Sequence, residues 1–252
     1  MREDIKIIFE DNHILVVSKP PFVPVQEDES GDEDMLTALK KYLIEKYNKP
    51  GDAFLGLVHR LDRPTGGVMV FAKTSKAAAR LSEAIRNGEV EKRYLTVVHG
   101  EPRDKQRKLV NYLKKYPEIN TVKVVPSLTE GAKYAELDYK VLDTKEGMSL
   151  VLVNLITGRS HQIRVQMATI GHSVVGDCKY GNDENLKLPI CLWAAELRFS
   201  HPISGQKMVF KVYPPEDLPY WNLFDIDQYL RISVKNDATL DVTDTTIENY
   251  DK

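Results

Sequence analysis

The chain has 252 residues, 37 acidic and 35 basic side chains, and a formal net charge of −2. With 42% hydrophobic and 29% charged residues it reads as an ordinary soluble globular protein, of one α/β or α+β domain or two small ones. No apolar run approaches the roughly 20 residues that span a bilayer, and two cysteines, Cys178 and Cys191, exclude a disulfide framework and match no common zinc spacing.

The N-terminus, Met1-Arg2-Glu3-Asp4, lacks the apolar core of a signal peptide, so the expected location is the cytoplasm. Ile5–Phe9 and Ile14–Val17 are short β runs around the turn signal Asp11-Asn12-His13. Prolines at 20, 21 and 24 break regular structure, and residues 27–33 read as a solvated surface loop. Met35, Leu36, Leu39, Tyr42 and Leu43 recur at helical spacing, which predicts an amphipathic helix over about 34–47. Val68–Lys73 is an apolar strand. Thr74 or Ser75 caps a helix with Ala78, Leu81 and Ile85 on its apolar face, and Asn87-Gly88 ends it. Strands are expected at Glu91–His99 and at about 107–113, 120–125, 132–142 and 148–156, with a hairpin turn at Lys145-Glu146-Gly147. A third helix spans about 160–170 and buries Ile163, Met167 and Ile170. Strands at about 190–199 and 206–213 follow, joined through His201–Gly205, and Leu218–Leu230 is a closing helical segment. From about 231 apolar periodicity is lost and a loosely attached tail is expected. The pattern predicts an α+β fold around a mixed, mostly antiparallel central sheet flanked by helices and loops.

The charge is unevenly distributed. Residues 27–34 hold six acids and no base, and residues 231–252 carry a net −2. The rest of the chain carries +6, a body compatible with phosphate binding but no proof of it.

Three segments concentrate chemistry. His59-Arg60-Leu61-Asp62, followed by Arg63-Pro64-Thr65-Gly66-Gly67, places a carboxylate, guanidinium groups and an imidazole on a short loop between apolar elements. Beside Arg60 and Arg63, Asp62 is poised to stay ionised, fit to act as nucleophile, general base or metal ligand. Taken alone it reads as readily as a turn or ion-pair residue. Thr157–Arg164 sits at a strand-to-helix junction, with Arg159, His161, Gln162 and Arg164 around a helix N-terminus where anions are favoured. It also fits an ordinary capped helix; read functionally, Arg164 reaches Asp62 from the core side and holds it anionic. Tyr94, on the third segment Lys92–Gly100, is either a core residue or a ring facing an active site, where it stacks on a pyrimidine and presents its hydroxyl.

Together these segments resemble the RluA-type (large-subunit-type) RNA pseudouridine synthases. Ile14–Pro20 is similar to that family's Leu-Val-Val-x-Lys-Pro opening and His59–Lys73 to its catalytic motif. Lys92–Gly100 is similar to its Lys-x-Tyr-x-x-x-Val-x-Gly strand and Leu155–Arg164 to its Leu-x-Thr-Gly-Arg-x-His-Gln-Ile-Arg motif. Gly171-His172, Gly176-Asp177, Tyr180-Gly181, Leu192-Trp193-Ala194 and Phe199–Pro202 follow in register, so the resemblance covers about residues 5–213. Two local departures stand out: Pro64-Thr65-Gly66-Gly67 where the family often has Asp-Thr-Ser-Gly, and Trp193 where a His is common. The N-terminal RNA-binding module of many relatives has no counterpart expected here.

The resemblance implies a pseudouridine synthase catalytic domain over residues 1–230, with a tail over 231–252. It implies isomerisation of selected uridines in ribosomal or transfer RNA, stem-loop uridines among them, without cofactor or metal, by a monomer with no membrane partner. It makes Asp62 the catalytic carboxylate, Tyr94 the stacking ring and Arg164 the partner of Asp62. Arg60 fills the space left by the flipped base, and His59, Leu192, Lys19, Arg159 and Gln162 complete the substrate site. Lys73, Lys92 and Arg93 join Lys19 as candidate phosphate contacts. Two other readings remain open: a silent RNA-binding relative that keeps the fold, and a hydrolase using Asp62 with His59 or His161.

Overall fold

The computed structural model describes residues 4–181, 189–215, 220–231 and 240–241. β1 (Lys6–Glu10) and β2 (Ile14–Lys19) form a hairpin. Its turn is held by the Asp11 carboxylate, which accepts the backbone N–H groups of His13 and Ile14, each at 2.7 Å. α1 (Met35–Lys46) begins at Asp34, whose carboxylate accepts the Thr37 N–H. β3 (Gly56–Leu57) and β4 (Gly66–Ala72) flank the charged loop. α2 (Ser75–Arg86) is capped by Thr74 and stops before Gly88, whose φ of 74° is the left-handed conformation glycine adopts without strain.

β5 (Glu91–His99), β6 (Gln106–Tyr116), β7 (Thr121–Val125), β8 (Lys133–Lys145) and β9 (Met148–Leu155) come next, followed by α3 (Gln162–Thr169). The chain then forms β10 (Leu192–Ser200), β11 (Lys207–Lys211), α4 (Ile226–Arg231) and β12 (Leu240–Asp241). The turn between β8 and β9 has Glu146 and Gly147 at positive φ, the pairing that matches the twist of a tight hairpin.

Twelve strands among the described residues make one sheet, with the main order β1-β2-β4-β10-β5-β9-β8-β6-β7. Pairing is antiparallel except for β4 with β10 and β11 with β12. β2 is buried on both faces, which explains its unbroken apolar run. Leu15 and Val17 pack towards α1 with Met35, Leu39 and Phe71. Ile14 and Val16 face the opposite layer with Val68, Val70, Leu81 and Phe210. The expected α+β class and mostly antiparallel sheet are therefore observed.

Several boundaries differ from expectation. The central apolar strand runs from Gly66 to Ala72, so the glycine pair belongs to the strand. The helix expected from residue 160 begins at Gln162, because His161 takes a left-handed φ of 51°. The closing segment is a 3₁₀ turn, Trp221–Leu223, followed by the short α4, while residues 216–219 lie outside the described residues. Of the expected tail, Leu240–Asp241 pairs with β11, and residues 232–239 and 242–252 lie outside the described residues. Residues 27–32 are exposed and Glu33 half-buried, all without regular structure, but Asp28 and Asp32 both pair with Arg63, so the acidic loop leans on the charged loop.

The two departures from the family pattern meet in space. Gly66 pairs with Trp193 across the parallel β4–β10 seam, and a Cβ at Gly66 would lie 2.1 Å from Trp193 Cζ3. The indole therefore occupies the room that a serine at 66 would need. Gly66→Ser is expected to destabilise the fold by roughly 1–3 kcal/mol through overpacking. In urea unfolding, a double-mutant cycle with Trp193→His should show favourable coupling. Independent effects of the two changes would show that the clash is absorbed elsewhere.

Candidate active site

The loop between β3 and β4 crosses the edge of β4 that β3 and β10 share. β3 pairs with Ala72 and Phe71, β10 pairs with Gly66 and Gly67, and the Val70 N–H lies between these pairings. His59 supplies the missing acceptor: its Nε2 takes the Val70 N–H at 3.0 Å. Burial, and secondly the Lys92 charge, push the imidazole down to about 4, so it stays neutral as an acceptor must. His59, expected at the substrate, lines the cleft beside Asp62 and also stands in for a strand, because a backbone donor in the sheet needs a partner.

Leu61 is buried and anchors the loop, and Asp62 caps a turn in which the Thr65 N–H donates to the Asp62 carbonyl at 3.0 Å. Beneath this turn lies Lys19, fully buried. Its amine donates to the carbonyls of Pro20 (3.0 Å), Arg63 (3.0 Å) and Thr65 (2.7 Å). Burial pushes the amine down to about 7, against the pull of the Asp62 carboxylate. Lys19 therefore cannot meet phosphate; it ties β2 to the underside of the loop. Lys73 is likewise withdrawn, its amine on Glu10 and the Asp11 carbonyl, and Arg93 pairs with Glu91 and Glu196.

The Asp62 carboxylate, 27% exposed, faces a cavity of about 80 Å³ lined also by Tyr94, Leu192, Ile163, His161 and Arg164. Arg164, on the first turn of α3, lies with Nη1 3.5 Å from Asp62 Oδ2. Its stronger partner is Asp177: Nε to Oδ2 is 2.8 Å and Nη2 to Oδ1 is 2.7 Å, a two-pronged bond with both side chains buried. Burial alone would raise the Asp177 carboxyl, but Arg164 and the N–H groups of Lys179 and Tyr180 hold it below the ordinary aspartate value. The expected pairing of Arg164 with Asp62 is thus a single long contact, with the guanidinium aimed by another carboxylate. The Arg164 guanidinium also sits 5.1 Å from the centre of the Tyr180 ring. The Tyr180 hydroxyl accepts the Val122 N–H at 2.8 Å and shares a 2.6 Å bond with His161 Nδ1.

Tyr94 is buried on β5, and burial followed by the Asp62 charge raises its phenol above the usual range, so it is protonated at rest. Arg60 is exposed at the mouth, with Nη1 3.3 Å from Gln26 Oε1. Arg159 is exposed beside it and gives its Nε–H to the Tyr134 carbonyl at 2.8 Å. Gln162 reaches the cavity wall, but its amide is committed. Oε1 accepts from the Thr157 hydroxyl (2.8 Å) and the Arg159 N–H (3.0 Å), and Nε2 donates to the Glu136 carbonyl at 3.0 Å. It shapes the start of α3, with its amide oxygen doubly hydrogen-bonded inside the protein.

In the sequence Asp177 and Tyr180 stand only in the register of the Gly176-Asp177 and Tyr180-Gly181 motifs. Their one signal there was the spacing of an acid and an aromatic between glycines, which does not name a partner. Among the described residues no three His, Cys, Asp or Glu side chains come together to hold a metal ion, and no helix is long and apolar enough to cross a membrane.

The family model described as RNA pseudouridylate synthase matches residues 13–169. Ribosomal large subunit pseudouridine synthase D of Zymomonas mobilis is 33% identical over 225 residues, covering 85% of this chain and 70% of that protein. Ribosomal large subunit pseudouridine synthase C of Buchnera aphidicola (from Acyrthosiphon pisum) is 30% identical over 227 residues, covering 86% and 69%. In structure the chain is similar to human RNA pseudouridylate synthase domain containing 1, with a TM-score of 0.71 at 24% identity over 91% of this chain and 94% of that one. It is also similar to human RNA pseudouridylate synthase domain containing 4, with a TM-score of 0.70 at 22% identity over 84% and 89%.

Proposed function

Since the chain belongs to the RNA pseudouridylate synthase family and is an isomerase acting on RNA, we propose that it converts particular uridines of ribosomal or transfer RNA, with Asp62 as the catalytic carboxylate. The observation that supports this most is the juxtaposition of Asp62, Tyr94 and Arg164 around one small cavity.

The uridine is flipped out of the RNA fold, at a cost of a few kcal/mol. Its ring stacks on Tyr94 and packs against Leu192, and Arg60 at the exposed mouth fills the vacated space. The C1′–N1 bond breaks, the uracil turns, a C1′–C5 bond forms, the C5 proton is released and N1 takes up a proton. Asp62 serves this either by attacking C1′ or by taking the 2′ proton, and both routes require an ionised carboxylate. Arg164 places its guanidinium 3.5 Å from that carboxylate. Arg164 positions Asp62, and Asp177 in turn positions Arg164. In this reading residues 1–230 form the catalytic domain, which works as a monomer in the cytoplasm, where ribosomal and transfer RNA are found.

The test is tritium release from RNA labelled at uridine C5, taken from a strain lacking the gene. Size fractionation of that RNA separates ribosomal from transfer targets, and no release from either overturns the reading. Tyr94→Phe keeps the stacking ring and loses the hydroxyl. It is expected to bind RNA as the wild type does and to turn over on the order of 10²-fold more slowly. Wild-type turnover would show the hydroxyl to be dispensable.

A further inference from the structure

Beside the small cavity, and sharing Arg60, Asp62, Tyr94 and Arg159 with it, lies a cleft of about 700 Å³. Its far wall is made by the end of α2 (Ile85, Arg86), by Lys92 on β5 and by the 156–160 turn after β9.

Several cations elsewhere on the surface, Lys40, Lys41, Lys46, Arg63 and Lys108 among them, each pair with a carboxylate. Arg86, Lys92 and Arg159 have no carboxylate partner among the described residues, and Asp62 is the single carboxylate lining the cleft. Lys92 is half-buried, and burial lowers its pKa, so its charge is held at a cost that the protein itself does not offset. Its amine lies 3.8 Å from where a Cβ at Gly158 would sit, so the bare backbone of that turn leaves the amine room on the cleft side. Between the cations the wall is apolar: Val58, Ile85 and Ile156 line it, and Ile156 is 44% exposed. Uncompensated positive charge beside a small apolar surface matches one nucleotide unit, a phosphodiester and a base.

We propose that this cleft is a second nucleotide subsite, which receives the unpaired neighbour of the target uridine with its phosphodiester on Arg86 and Lys92 and its base against Ile85 and Ile156. The proposal rests on the isomerase reading and narrows its substrate class. The favoured RNA holds the target in a loop or bulge, where the adjoining nucleotide is free to leave the stack, and a uridine inside a continuous duplex is disfavoured.

The test compares the full chain with Arg86→Gln/Lys92→Gln, Lys92→Arg and Ile156→Asp. The substrate is C5-tritiated RNA bearing one target uridine, either in a hairpin loop or within a duplex. The double variant should raise KM for the loop RNA about tenfold and raise it more than it lowers kcat. The slope of log affinity against log salt should shrink by about 0.7 for each lost single-strand phosphate contact. Lys92→Arg should keep the wild-type slope. Ile156→Asp should raise KM, and the wild type should prefer the loop RNA. Wild-type turnover with KM and salt slope unchanged in the double variant overturns the subsite and leaves the isomerase reading standing. Equal use of loop and duplex overturns the substrate class. Absence of wild-type turnover on either RNA overturns both readings.

Discussion

Asp62→Asn is expected to abolish isomerisation, with kcat lower by on the order of 10⁴-fold or more, as loss of the group that meets the reacting atoms does elsewhere. The same change should leave the fold nearly untouched, within about 0.5 kcal/mol. Asp62 is partly exposed and makes one long ion pair at 3.5 Å, while Arg164 keeps both of its short bonds to Asp177 when the Asp62 charge is removed. No buried charge is stranded. Tritium release measured beside thermal unfolding checks both halves. Turnover within about a hundredfold of wild type would remove Asp62 from the chemistry.

Asp177→Ala should do the reverse and strike stability first. It strands a buried guanidinium, a change that costs about 3–5 kcal/mol when one partner of a buried pair is lost. Turnover should fall as well, because Arg164 then has only Asp62 to bond and pulls that carboxylate out of position. The pH dependence has a definite sign. The folded carboxyl of Asp177 lies below its ordinary value of 3.8, so its contribution is complete above that value and is lost as pH falls through the lowered folded value. Urea unfolding of the wild type should therefore show a stability loss below about pH 4 that the variant lacks. Equal acid sensitivity of the two proteins would place the acid-labile carboxylates elsewhere.

Much of the fold was legible in the chain. Asp34 and Thr74 mark helix starts, Gly88 a helix end and Glu146-Gly147 a hairpin, and each acts within four residues of its own position. The apolar runs of β2 and β4 signalled buried strands because both faces of those strands are covered. The start of α3 lies two residues later than the helical spacing suggests. The side-chain bonds of Gln162 to Thr157 and Arg159, with the left-handed turn at His161, hold residues 159–161 out of the helix.

By itself the sequence determined the order of elements, the family to which the motifs belong, and the loop on which Asp62 stands. Those features depend on short-range periodicity and on residue types at set spacings. The tertiary structure decided the partners. His59 completes a sheet edge 11 residues away, Lys19 binds carbonyls 44 and 46 residues away, and Arg164 takes Asp177, 13 residues on, as its main partner. A lysine or histidine has the same chemistry whether it meets a phosphate or a buried carbonyl. The packing of the sheet determines which of these lies within 3 Å, and so which of Lys19, Lys73, Lys92 and Arg93 remains available to the RNA.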